Sequence, residues 1–270
     1  MKNLVTRSLA GIVFVVVTLG SLLLGKYGYA LFFLFVITGG LFEFYNLTKK
    51  SEIHPYKFVG IAAGILLFII SFFVSSGELP SEAYLIFFPF LLFFFIAELY
   101  RKKEHPTENI ASGILGIIYI AVPLSLSNLI VFDGEANYSP DLMIALLVLI
   151  WIYDSGAYLF GVSMGKHRLF ERISPKKSWE GALGGILVTL AASFFMGKYI
   201  DVDLIHWLVI TLLMVIISTF GDLSESLLKR QFGLKDSGQL IPGHGGLLDR
   251  FDSFLFSIPV FVCYLKLVVR

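Results

Sequence analysis

Cysteine is almost missing from this chain. Cys263 is the only one in 270 residues, so no intrachain disulfide can form, and its place in an apolar run leaves the redox compartment open. Charge is scarce too: Asp, Glu, Lys and Arg make up 15% of the residues and the formal net charge is +1. Soluble domains carry roughly 25% charged residues, so an ordinary soluble domain is excluded. The lack of a basic excess argues against nucleic acid as a partner. No Pro-, Gly- or Ser-rich linker divides the chain, and no internal repeat is visible.

What is abundant is hydrocarbon. The chain is 57% hydrophobic and 16% aromatic, with a mean hydropathy of +0.83, which places it in the membrane class. About 20 apolar residues are needed to cross roughly 30 Å of hydrocarbon. Nine runs approach that length, at 4–24, 27–45, 58–74, 84–99, 110–130, 142–160, 179–195, 204–220 and 254–269. Lys2 and Arg7 ahead of the first run could mark a signal peptide, but the many runs that follow favour a first membrane helix. Helices satisfy their own backbone groups without water, so the expected fold is all-α: a polytopic bundle of about nine transmembrane helices, with a break in the fifth at Pro123.

The basic residues alternate from loop to loop. With the N-terminus in the cytoplasm, every Lys and Arg except Lys26, Lys198, Lys266 and Arg270 falls on the cytoplasmic side. The opposite loops hold Glu78, Glu82, Asp133, Glu135, Asp201 and Asp203. Only the cytoplasmic loops 161–178 and 221–252 are long enough for a polar site. Residues 1–140 therefore read as scaffold helices with lipid or dimer contacts, and 141–270 as the part carrying the site. Pairs and triplets such as Gly39 and Gly40, Gly113 and Gly116, or Gly181, Gly184 and Gly185 are spaced for close helix contact.

Glu43, Glu98, Asp154, Glu180 and Asp222 all fall toward cytoplasmic helix ends. A carboxylate at membrane depth is costly unless it meets a cation, a metal or water, which points to a shared polar cavity. For Glu43 and Glu98 an equal alternative is that they only reach the interface beside Lys49 and Arg101.

The most polar stretch is 221–253, GDLSESLLKRQFGLKDSGQLIPGHGGLLDRFDS. Asp222 ends the eighth run while Asp249 and Asp252 open the ninth, three residues apart on one helical face, so the intervening hairpin can bring the carboxylates together. Close carboxylates call for a cation, and oxygen ligands favour Mg²⁺ completed by phosphates and water. Gly243, Gly245 and Gly246 surround His244 just before a helix start, where bare N–H groups can cradle phosphate. Lys229, Arg230, Lys235 and Arg250 add positive charge. Together these suit phosphoryl or nucleotidyl transfer. An interfacial loop resting on anionic lipid would explain the lysines, but not the GHGG turn or the acid pair behind it.

The second stretch is 151–181, WIYDSGAYLFGVSMGKHRLFERISPKKSWEG. Asp154 precedes the small residues Ser155, Gly156 and Ala157, and the loop then offers Lys166, His167, Arg168, Arg172, Lys176 and Lys177. Ser178 fits a simple N-cap, while Gly181 rules out a capping box. Alone this is a positive-inside loop more often than a triphosphate site. Across from the other loop it becomes a second wall of that site.

Residues 226–252, SLLKRQFGLKDSGQLIPGHGGLLDRFD, resemble the signature of the CdsA-type phosphatidate cytidylyltransferases, the CDP-diacylglycerol synthases. The pattern S-x-x-K-R, K-D-x-G and P-G-H-G-G-x-x-D-R-x-D runs without a gap. W-x-x-D-x-x-A-Y-x-x-G-x-x-x-G-K at 151–166 and SPKKSWEG at 174–181 also look like this family, with Ser178 where threonine is common. The resemblance is specific over the C-terminal half and only hydropathic over residues 1–140.

The resemblance implies that CTP and phosphatidate give CDP-diacylglycerol and pyrophosphate, with Mg²⁺ required and a second cation left open. It also implies a homodimer in the bacterial inner membrane, with its site facing the cytoplasm. Asp222 and Asp249 are the first choices as metal ligands and Asp252 the third; Asp154 could hold a metal or a basic partner. Lys229, Arg230 and Arg250 would hold phosphates, Lys176 and Lys177 would contact the triphosphate, and Gly243, Gly245 and Gly246 would contact CTP or leaving pyrophosphate. Ser226, Lys235 and Asp236 belong to the same substrate-binding set. His244 lies among the catalytic residues, although an already anionic substrate needs no base and no protein nucleophile. Two rival enzymes differ in fit: the D-G-x-x-A-R motif of CDP-alcohol phosphotransferases is absent, whereas a CTP-dependent enzyme for another lipid phosphate shares the same chemistry. A transporter would show discontinuous helices or inverted repeats, and neither is visible.

Overall fold

The computed structural model describes residues 2–48, 51–238 and 245–269, with side chains from residue 9 onward. The chain forms two compact units, residues 1–140 with 231–251, and residues 141–230 with 252–270.

The first unit is helical throughout. It contains α1 (Lys2–Leu23), α2 (Lys26–Leu47), α3 (Lys57–Ser75), a 3₁₀ turn (Ser81–Ile86) running into α4 (Phe87–Arg101), and α5 (Pro106–Gly116). A π-helical turn at Ile117–Ala121 joins α5 to α6 (Val122–Leu126), and α7 (Asn128–Val131) follows. The break expected at Pro123 does not occur, since Pro106–Val131 runs as one helical span; a π-helical turn precedes the proline instead. Proline has no N–H for the carbonyl four residues back and crowds it, and a wider turn relieves that clash without ending the rod.

Tyr45 of α2 is the meeting point of three helices. It is fully buried and donates its hydroxyl to the Gly113 carbonyl of α5 at 2.7 Å. A Cβ on Gly60 of α3 would stand 2.2 Å from that hydroxyl, and one on Gly116 would stand 2.7 Å from the ring. These glycines admit an aromatic side chain where any other residue would push the helices apart. Gly39 on α2 does the same for Leu247, since a Cβ there would lie 2.7 Å from its methyl group. That close approach seats the 245–248 segment against α2.

The second unit holds α8 (Asp141–Met164), strands β1 (Arg168–Phe170) and β2 (Ser174–Ser178), α9 (Trp179–Met196), α10 (Leu204–Gln231) and α11 (Asp252–Leu267). The antiparallel β1–β2 hairpin, with Arg168 opposite Ser178, is a small addition to the all-α reading. It lies within the basic loop, where polar backbone can be paired outside hydrocarbon. Gly156 and Gly185 let α8 and α9 touch, a Cβ on Gly156 lying 3.2 Å from the Gly185 Cα. Trp207 Nε1 donates to the Ser193 carbonyl at 3.0 Å and ties α10 to α9.

Among the described residues, seven helical stretches are long and apolar enough to cross a membrane. Of the other two expected runs, the first appears as the shorter apolar stretch Leu9–Leu23, and the last is α11, with 16 residues. Large exposed side chains such as Phe58, Leu99, Leu187 and Phe195 give these rods apolar outer faces, as lipid-facing helices require. Helix α10 has 28 residues, so at 1.5 Å per residue it extends about 42 Å, beyond what hydrocarbon alone requires. The surplus is its polar end, with Asp222, Glu225, Lys229 and Arg230.

Candidate functional site

In the second unit, Gly221 sets the geometry. A Cβ at this position would stand 2.6 Å from the Asp252 carbonyl and 3.0 Å from Phe256, so α10 and the start of α11 cross in direct contact. The crossing brings the neighbouring acids together: the carboxylate of Asp252 interacts electrostatically with those of Asp222 and Asp154, and with the Lys229 ammonium. The side chain of Asp252 is turned toward its own helix start and accepts the Ser253 N–H at 2.6 Å.

Asp222 carries further partners. It forms an ion pair with Lys177 of β2 and accepts the Ser226 hydroxyl, one turn along α10, at 3.3 Å. Tyr153 of α8, next to Asp154, shares a hydrogen bond with Thr219 of α10, and it senses both Asp154 and Asp222 electrostatically. Lys229 is buried and pairs with Glu225, also buried, at 2.6 Å. Glu225 escaped the sequence reading although its i,i+4 spacing to Lys229 is the usual signal for such a pair. Arg230, at the end of the same helix, and Lys176, on β2, are exposed.

Glu180, at the start of α9, folds the basic loop back on itself. Its carboxylate accepts the N–H of Lys166 at 3.1 Å and of His167 at 3.2 Å, and meets His167 Nδ1 at 2.5 Å. Ser178 accepts the Gly181 N–H at 3.2 Å, the N-cap expected from its hydroxyl. Beside this hairpin lies a cavity of about 720 Å³ lined by Lys166, His167, Arg168, Glu171, Trp179, Glu180 and Leu183.

In the first unit, Asp249 is the centre of a folded-back loop. Its two carboxylate oxygens accept the Ser237 N–H at 3.2 and 3.0 Å, and one of them accepts the Gly246 N–H at 2.7 Å. Gly245 (φ 83) supplies the left-handed turn beneath it, and a Cβ there would stand 2.6 Å from Asp249 Oδ2. Asp249 is thus a staple of the loop backbone. Lys235, Asp236 and Arg250 are exposed around it. Gly243 and His244 lie outside the described residues.

A second carboxylate joins this loop from far away in sequence. Glu43 of α2, only 6% exposed, accepts the Ser237 hydroxyl at 3.1 Å and the Leu248 N–H at 2.9 Å. Of the two acids with open alternatives, Glu98 takes the local one: it pairs with Arg101 at 3.3 Å and accepts from Asn109 at 2.7 Å. Glu43 instead enters the signature loop. Lys49, its suggested interfacial neighbour, lies outside the described residues.

The Asp154, Asp222 and Asp252 donor set is all oxygen. Among the described residues, only the exposed Glu52, Glu104 and His105 bring three ligand atoms within 4.8 Å of one another, and none of these was chosen from sequence. The three aspartates therefore make no closed protein cage. That arrangement fits Mg²⁺, which takes one or two carboxylates and completes its shell with phosphate and water.

The cytidylyltransferase family profile matches residues 5–268. Phosphatidate cytidylyltransferase from Staphylococcus haemolyticus is 34% identical over 259 residues, covering 94% of this chain and 96% of the relative. The Bacillus subtilis protein of the same name is 32% identical over 265 residues, covering 96% of each. With the match running through both units, the chain belongs to the cytidylyltransferase family.

Proposed function

We propose that this chain transfers the cytidylyl group of CTP to phosphatidate, giving CDP-diacylglycerol and pyrophosphate. The observation that carries this reading is the electrostatic grouping of Asp154, Asp222 and Asp252 with Lys177 and Lys229 in a chain whose relatives, matched over nearly their whole length, carry that name.

In the reaction a phosphate oxygen of the lipid attacks the α-phosphorus of CTP. The bond from that phosphorus to the bridging oxygen breaks, and pyrophosphate leaves with the electron pair. When bound, Mg²⁺ supplies charge neutralisation to the triphosphate and the departing pyrophosphate. Asp222, with Asp252 and Asp154 beside it, would hold the metal. Lys177 is held at Asp222 by the ion pair, and an incoming triphosphate offers the same ammonium a second anionic partner. Buried Lys229 partly offsets the acidic cluster while Glu225 fixes its position. Asp249 and Glu43 keep the loop N–H groups in place, so catalysis rests on positioning and charge, as phosphoryl chemistry generally does. The same reading places a homodimer in a bacterial inner membrane, with its N-terminus and its site on the cytoplasmic side.

Purified protein given labelled CTP, phosphatidate and Mg²⁺ is expected to form a lipid-soluble cytidine product and to stop when the metal is chelated. Active protein that makes the product only with a different lipid phosphate would redirect the reading to that lipid. For topology, single cysteines at the exposed Lys235 and Lys176 in a Cys263→Ser background are both expected to react with a membrane-impermeant thiol reagent only from the cytoplasmic side. Labelling from opposite sides would overturn the arrangement.

A further inference from the structure

Glu43 is a carboxylate on a membrane helix in the half of the chain where the family motifs are silent. A buried carboxylate is costly unless donors meet it, and both donors it meets belong to the signature loop. The Ser237 hydroxyl and the Leu248 N–H converge on the same oxygen, Oε2, at 3.1 and 2.9 Å. The fit is close on the glycine side as well: a Cβ on Gly238 would stand 2.3 Å from Glu43 Oε1, and one on Gly246 would stand 2.4 Å from Oε2. Glycine at position 238 thus leaves room for the Glu43 side chain, and glycine at position 246 leaves room for Glu43 together with Ser237 Oγ, which would stand 2.2 Å from a Cβ there.

Asp249 takes the other face of the same backbone. Ser237 gives its N–H to Asp249 and its hydroxyl to Glu43, while Gly246 gives its N–H to Asp249 and Leu248 gives its own to Glu43. Two carboxylates on different elements therefore hold Ser237 on one side and Gly246 and Leu248 on the other, with Ser237 bonded to both.

We propose that Glu43 is a positioning residue for cytidylyl transfer: it fixes the signature loop through Ser237 and Leu248 without touching either substrate. This rests on the cytidylyltransferase reading above. Isolated snorkelling to the interface would need no loop donors and no glycines opposite the side chain.

The test compares Glu43→Leu, Glu43→Gln and Ser237→Ala in the full-length purified protein, measuring kcat, the KM for CTP and the melting temperature in detergent. Glu43→Leu removes the one oxygen that accepts both bonds, and a displacement of about 1 Å in a positioned group is worth about a hundredfold in rate. The expected result is a fall of that size in kcat, with KM for CTP changed less than about threefold and melting within a few degrees of wild type. Glu43→Gln keeps an acceptor oxygen and is expected to recover about a tenth of the wild-type kcat or more. Ser237→Ala deletes one donor and is expected to lower kcat about tenfold. If Glu43→Leu does not fold, Ser237→Ala carries the test. A folded Glu43→Leu or Ser237→Ala protein with wild-type kcat would overturn the proposal, and so would equal losses in the Leu and Gln variants that track melting. Wild-type protein that turns over CTP with no lipid phosphate would instead overturn the cytidylyltransferase reading.

Discussion

Asp249→Ala is expected to lower kcat for cytidylyl transfer by about a thousandfold while leaving the helices folded. The native carboxylate receives the N–H groups of Ser237 and Gly246. Hydrogen bonds to a charged acceptor contribute about 2 kcal/mol each, so their joint loss removes about 4 kcal/mol of local order. Spent entirely on the reacting geometry, that corresponds to about three powers of ten in rate. Asp249→Ala removes no core side chain: the loop's buried Leu247 and Leu248 remain, and Tyr45, Gly60, Gly113 and Gly116 pack α2, α3 and α5 through contacts of their own. Circular dichroism and melting in detergent should therefore stay near wild type. Asp249→Asn keeps one acceptor oxygen but turns an amide toward an N–H donor, so its activity should lie between the two. Near-normal turnover by a folded Asp249→Ala protein would show that the loop order is not used in the reaction.

The second large effect is expected at Asp222 and Asp252. Asp222→Asn and Asp252→Asn should each lower kcat by about a thousandfold, the upper range for removing one electrostatic contributor from an active site. These two variants should differ from Asp249→Ala in their response to metal. Weakening a metal ligand raises the Mg²⁺ concentration needed for half-maximal rate, whereas loosening the loop does not. Binding of Mn²⁺, followed by electron paramagnetic resonance without any substrate, separates the two cases independently of activity: weaker for Asp222→Asn and Asp252→Asn, unchanged for Asp249→Ala. Unchanged Mn²⁺ binding in both Asn variants would remove these residues from the metal site. Asp249 was a first choice as a metal ligand when read from sequence; its carboxylate also accepts two backbone N–H groups, and the Mn²⁺ measurement distinguishes the two roles.

Residue type and spacing carried much of this protein. Hydropathy registers transfer free energy residue by residue, so the scarcity of charge and the long apolar runs were enough for a helical membrane protein. The N-cap at Ser178 and the small-residue contacts of Gly156 and Gly185 are local or nearly local effects, and they too were legible. The signature from Ser226 to Asp252 was legible because polar residues in an apolar chain persist only where chemistry holds them.

Beyond the Glu225–Lys229 pair, which follows from its i,i+4 spacing, partner choice was decided by the tertiary structure alone. No periodicity could say that Lys177 of β2 would meet Asp222 of α10. None could say which of two similarly placed acids, Glu43 or Glu98, would reach a loop near the opposite end of the chain. The free energy of a buried carboxylate depends on the donors around it, and these come from wherever the packing of the helices brings the chain. For Glu43 that meant Gly39 admitting Leu247, and Gly238 and Gly246 leaving room for its oxygens.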